Sequence, residues 1–152
     1  MAIAFGTLPD SLPNVKGKGV CFQATNGKLL LVVPDIAKYL ISHGDTVIID
    51  HHPDADDDEL RLFLLGSAIG ALLHQRDFLV LHANAIVVDG GAVLFMGKSG
   101  VGKSTLAAAF NQLGYPIAAD DICAIDAGKE QPLLYPGFPR RGGYCAKVIC
   151  EM

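Results

Sequence analysis

Apolar residues in this chain fall in short runs broken by glycine, proline and acidic turns, and the period of each run predicts its element. Residues 19–25 and 28–33 are β-prone runs flanking Asn26-Gly27, a pair suited to the positive-φ corner of a hairpin. Pro34-Asp35 predicts the start of a short helix through Leu40, with Pro34 in its first turn. Thr46-Val47-Ile48-Ile49 predicts a strand over 45–50. Over 60–75 the spacing turns helical: Leu60, Leu64, Ala68 and Leu72 fall on one side, and Phe63 and Leu65 widen that face. Gly66 and Gly70 form a G-x-x-x-G expected to permit close packing in the core.

Further strands are predicted over 78–82, 85–88 and 92–96, the last two flanking the turn Asp89-Gly90-Gly91. An Ala- and Leu-rich helix follows, to Gly114. Ile117-Ala118-Ala119 is a small-residue strand delivering Asp120-Asp121; residues 122–125 continue apolar, and 131–135 read as one more strand. The expected organisation is a small β-rich lobe over 1–54, an α/β core over 55–140 and an atypical tail over 141–152.

The length of 152 residues fits one domain with a real core. Hydrophobic residues make up 51%, but no run is long and unbroken enough for a membrane span. The first residues lack the basic start and long apolar stretch of a signal peptide, so a cytoplasmic protein is expected, without a membrane partner. A net charge of −4 with no basic stretch argues against nucleic acid. Four scattered cysteines without C-x-x-C spacing read as free thiols ahead of a zinc site or a disulfide. His51-His52 and Asp54, Asp56, Asp57 and Asp58 invite a metal reading. Adjacent histidines on an extended chain diverge, however, and the aspartates more simply cap the next helix.

The chemistry concentrates in Gly97-Lys98-Ser99-Gly100-Val101-Gly102-Lys103-Ser104, a complete G-x-x-x-x-G-K-[ST] phosphate-binding loop between a predicted strand and a predicted helix. Its glycines let successive N–H groups converge on one point, and the helix N-terminus adds partial positive charge there. Lys103 is placed to reach the β- and γ-phosphates of ATP, and the Ser104 hydroxyl to ligate Mg²⁺; Thr105 completes the segment. Asp120-Asp121 ends the strand that follows the helix. One of these carboxylates suits Mg²⁺ or its waters, and the other suits the proton of an attacking hydroxyl. His82, at a strand end ahead of the loop, is an active-site candidate or a structural histidine. Arg140, in Pro136-Gly137-Phe138-Pro139-Arg140, offers a cation for a phosphate or a carboxylate, or simply belongs to a surface loop.

Together Leu81-His82-Ala83, the hairpin, the Gly97–Ser104 loop and Ile117-Ala118-Ala119-Asp120-Asp121 resemble the catalytic domain of the HPr serine kinase/phosphorylase family. The spacings from His82 to Lys103 and from Lys103 to Asp121 match that family without a gap. Shorter HPr-kinase-related proteins, with Leu-His-Ala before the loop and a Pro-Gly-Phe-Pro-Arg-like segment after it, are more similar still.

The resemblance implies a phosphate-loop core of HPr-kinase type on a mixed sheet. It implies an ATP- and Mg²⁺-dependent kinase that phosphorylates a serine on a small protein or peptide. Carried over residue by residue, Lys103 and Ser104 bind phosphate and metal, Asp121 accepts the proton, Asp120 supports it and holds metal, and His82 belongs to the active site. Lys98 and Thr105 stand where the HPr enzyme has glutamates, a difference that bears on phosphorylase chemistry and HPr recognition. The segment after Arg140 does not resemble the family's continuation, which carries a further metal-binding glutamate and a catalytic arginine. A truncated member with an uncovered sheet edge, prone to self-association as a homo-oligomer, is the expectation. The alternative function is a nucleotide-binding remnant without transferase activity.

Overall fold

The computed structural model describes residues 1–137 and the backbone of 146–148. The protein is a mixed α/β chain of two compact units: the first spans Met1–Arg76 and the second begins at Asp77.

The first unit is built on six strands: β1 (Ala2–Phe5), β2 (Gly17–Lys18), β3 (Phe22–Thr25), β4 (Lys28–Val33), β5 (Ala37–Ser42) and β6 (Thr46–His51). Their order in the sheet is β1-β6-β5-β4-β3-β2, antiparallel apart from the parallel β1–β6 edge. Asn26-Gly27 closes the β3–β4 hairpin as expected, with Gly27 at φ +67°.

The helix expected over 34–40 does not form. Val33 pairs with Ala37, and Pro34, Asp35 and Ile36 make a turn in which Asp35 takes φ +61°. Burial then alternates residue by residue along β5, so Tyr39 and Ile41 reach the core. A helix there would turn one of these β-favouring side chains out to water, and tertiary burial overrides the helix-start signal of Pro34.

Both sheet faces are covered. On one lie Tyr39, Ile41, Val47 and Ile49 with Leu60, Ala68 and Leu72; on the other Leu30 packs under Leu8 and Leu12. The 7–12 segment is tied down by Leu8 N–H donating to Asp50 Oδ2 (2.9 Å) and by the Lys38–Asp10 pair (2.6 Å).

Helical residues run from α1 (Asp57–Phe63) through a π turn (Leu64–Ala68) into α2 (Ile69–His74). Asp56 caps α1 by accepting from Asp58 N–H at 2.8 Å, and Asp57, Asp58 and Glu59 face the positive end of its dipole. Leu65 is 64% exposed and so does not widen the apolar face. Of the two glycines expected to permit close packing, Gly70 is buried, whereas a Cβ on Gly66 would meet nothing within 4 Å among the described residues. Tyr39 Oη donates to Leu60 O (3.0 Å) and Gln75 Oε1 accepts from Gly44 N–H (2.8 Å), fixing these helices to the first sheet. The division of the chain therefore falls after Arg76, not at the expected 54/55 boundary.

The second unit contains β7 (Leu79–Val88), β8 (Gly91–Met96), α3 (Lys103–Gln112), β9 (Ile117–Ala119), β10 (Ile122–Asp126), β11 (Leu133–Tyr135) and β12 (Ala146–Val148). What the sequence divides into 78–82 and 85–88 is one ten-residue strand. A two-residue turn, Asp89 (φ +49°) and Gly90 (φ +78°), joins it to β8, the left-handed pair of a type I′ hairpin.

β9 and β10 both lie antiparallel on β7, with Ala85 opposite Ala119 and His82 opposite Ile122. They form one line interrupted at Asp120-Asp121, across from Ala83-Asn84. The core beneath is made of small side chains, Ala83, Ala85, Ala92, Ala118, Ala119 and Cys123, with Ile125 and Leu134. Small residues let α3 approach β7, β8 and β9 closely, which brings its first turn next to the interruption. Among the described residues no helix is long and apolar enough to cross a membrane.

Candidate functional site

The site begins where β8 ends. Gly97, Lys98, Ser99, Gly100, Val101 and Gly102 form the loop, and Lys103, Ser104 and Thr105 form the first turn of α3. Gly100 (φ +83°) and Gly102 (φ +94°) take left-handed conformations, and Gly102 caps α3 without a side chain. Among the described residues no carbonyl accepts from the N–H groups of Lys98, Ser99, Gly100, Gly102 or Lys103, while Val101 N–H reaches Lys98 O only at 3.4 Å. Unpaired donors at a helix N-terminus carry partial positive charge and are groups that an anion can satisfy. Lys103 Nζ folds over the loop and donates to Gly97 O (2.9 Å) and Lys98 O (3.3 Å). It pairs with no carboxylate among the described residues, so its charge is available.

The interruption supplies the acidic side. Asp121 takes φ +71°, which an aspartate tolerates better than most residues, and Ile122 N–H returns to Asp120 O at 2.9 Å. This kink turns both carboxylates to solvent. His82 Nδ1 lies 3.7 Å from Asp121 Oδ1, so the two residues do meet, as a solvent-facing pair.

The sequence reading missed Asn84. Its side chain is 1% exposed, and its Nδ2 donates to Ser104 Oγ (3.2 Å) and to Asp120 Oδ1. It therefore joins the first turn of α3 to the strand interruption, the two elements expected to hold metal. The available signal was a carboxamide inside an otherwise apolar strand run, which rarely goes inside without a partner.

Cys123, also under the site, donates to Ala83 O (3.2 Å), and burial, helped by the Asp120 charge, pushes its thiol up to about 11. It is an inert core group. Cys21 is likewise a free thiol, and exposed. An open groove of about 710 Å³ adjoins the loop, lined by Phe95, Met96, Val101, Lys103, Thr105 and Leu106.

Among the described residues no group of three or more histidine, cysteine, aspartate or glutamate side chains could hold a metal, the His51-His52 segment included. Arg140, Cys145 and Cys150 lie outside the described residues. Compared with protein-family models, curated proteins and solved structures, the chain gives no significant match.

Proposed function

We propose that the second unit is a phosphate-loop kinase core of the HPr-kinase type, which passes the γ-phosphate of ATP to a serine hydroxyl of a small protein or peptide in the cytoplasm. One observation carries the reading: the Asn84 amide links Ser104 of the glycine loop to Asp120 of the acidic pair, so loop and carboxylates share one locus.

In this reading the free N–H groups of Lys98, Ser99, Gly100, Gly102 and Lys103 and the Lys103 ammonium hold the triphosphate. The apolar groove beside Lys103, within the size range of small-molecule pockets, takes the rest of the nucleotide. Ser104 Oγ and Asp120 are the oxygen donors offered to Mg²⁺, which would offset phosphate charge. Asp121 accepts the serine proton as the serine oxygen bonds to the γ-phosphorus. The bond from that phosphorus to the β,γ-bridging oxygen breaks, and ADP leaves with the electron pair. His82, beside Asp121, orients that carboxylate.

The test is labelled ATP with Mg²⁺ and serine-containing peptides, read as nucleotide bound and phosphate transferred. Lys103→Ala is expected to abolish binding. Asp121→Asn is expected to bind normally and lose transfer by roughly 10²–10⁴-fold, the usual range for a general base. Full transfer by Asp121→Asn would strip that residue of its role. Binding without transfer to any peptide would reduce the protein to a nucleotide-binding module, and no binding would end the reading.

A further inference from the structure

Asn84 presents an unusual energetic arrangement. Its Nδ2 donates to two oxygens, while its Oδ1 is buried and has no hydrogen-bond partner among the described residues. The amide cannot simply be turned over, because Asp120 Oδ1 accepts from it and a flip would set two oxygens face to face. Both oxygens that Nδ2 serves belong to residues with ready access to water, so a residue without an amide would leave nothing stranded there. An apolar side chain at 84 would also remove the orphaned acceptor, whose burial is costly. The fold therefore gains little from asparagine here.

We infer that Asn84 is a positioning residue for divalent-metal binding, its –NH₂ holding Ser104 Oγ and Asp120 Oδ1 beside one another in the cation's absence. The inference rests on the phosphate-site reading above. Each of these oxygens has a second lone pair, so it can accept from the amide and still ligate a cation, and the amide keeps two water-exposed ligands from dispersing. The register makes this possible: residue 84 of β7 faces the interruption between β9 and β10, and α3 brings Ser104 to the same point.

The test compares Mn²⁺·ADP with metal-free ADP, by calorimetry, on the full chain carrying Asn84→Ala, Asp120→Ala or both. Asn84→Ala should weaken Mn²⁺·ADP about tenfold, change metal-free ADP less than twofold, and leave the melting temperature level or higher. With Asp120 already alanine, the same change should cost less than twofold, since the two act as one unit. Equal loss of both ligands with a lower melting temperature would mark a structural role and overturn the inference, as would unchanged Mn²⁺·ADP affinity. If Asn84→Ala does not fold, Asn84→Ser, which keeps one donor, carries the same comparison: a selective, smaller loss for the metal complex supports the inference, and a uniform loss overturns it. Failure of the wild-type chain to bind either form would instead overturn the phosphate-site reading, and this inference with it.

Discussion

Replacing Gly102 by alanine separates backbone strain from steric fit. Gly102 has φ +94° and ψ 18° and caps α3 directly before Lys103. A Cβ there would meet nothing within 4 Å among the described residues, so no clash contributes. The cost is conformational: an L-residue held in the left-handed region loses about 1–2 kcal/mol. For a chain of this length that is a fall in melting temperature of roughly 2–8 °C. Relaxing φ to avoid the strain would turn the Gly102 carbonyl, which accepts from Leu106 N–H at 2.9 Å, and would rotate the neighbouring N–H groups out of the loop. Stability and nucleotide affinity should therefore both fall. Gly128→Ala is the control: its Cβ would sit 3.5 Å from Asp126 Oδ1, an ordinary contact, with no left-handed φ. Thermal unfolding by circular dichroism and ADP titration read both variants. If Gly102→Ala melts with the wild type and binds ADP equally, the left-handed cap does not shape the loop and the reasoning fails.

Two further outcomes follow from the first unit. Tyr39→Phe deletes the buried hydroxyl that donates to Leu60 O and should cost about 1 kcal/mol, seen as a lower urea midpoint at unchanged slope; an unaltered midpoint would show that this bond contributes nothing. Asp10 is held below the usual carboxylate range by its hydrogen bond to, and charge attraction with, Lys38. Stability from Asp10 is thus present above its unfolded pKa and lost as pH falls through the lowered folded value, so Asp10→Asn should be less stable than wild type at pH 7 and converge with it in strong acid. A melting-temperature gap that persists at pH 2 would contradict the pairing.

The legible parts of the chain were those where local chemistry and burial agree. Asn26-Gly27 and Asp89-Gly90 closed hairpins because left-handed corners select such residues, and Asp56 capped α1 because its carboxylate reaches the free N–H of Asp58. Pro34-Asp35 misled because the same dipeptide starts helices and tight turns, and only the alternating burial of Tyr39 and Ile41 against both neighbouring strands decides for a strand. The helical run over 60–75 was visible from its period, yet its membership in the first unit was not, since Tyr39 and Gly44 are distant along the chain from Leu60 and Gln75.

By itself the sequence determined where a glycine-rich loop begins and ends, and that an acidic pair follows a small-residue strand. Those features depend on backbone freedom and side-chain chemistry within a few residues. Only the tertiary structure decided that β9 and β10 are one interrupted line on β7, that the interruption meets the first turn of α3, and that Asn84 lies between Ser104 and Asp120. Register and close packing of alanines bring together groups far apart along the chain, and no local pattern encodes that meeting.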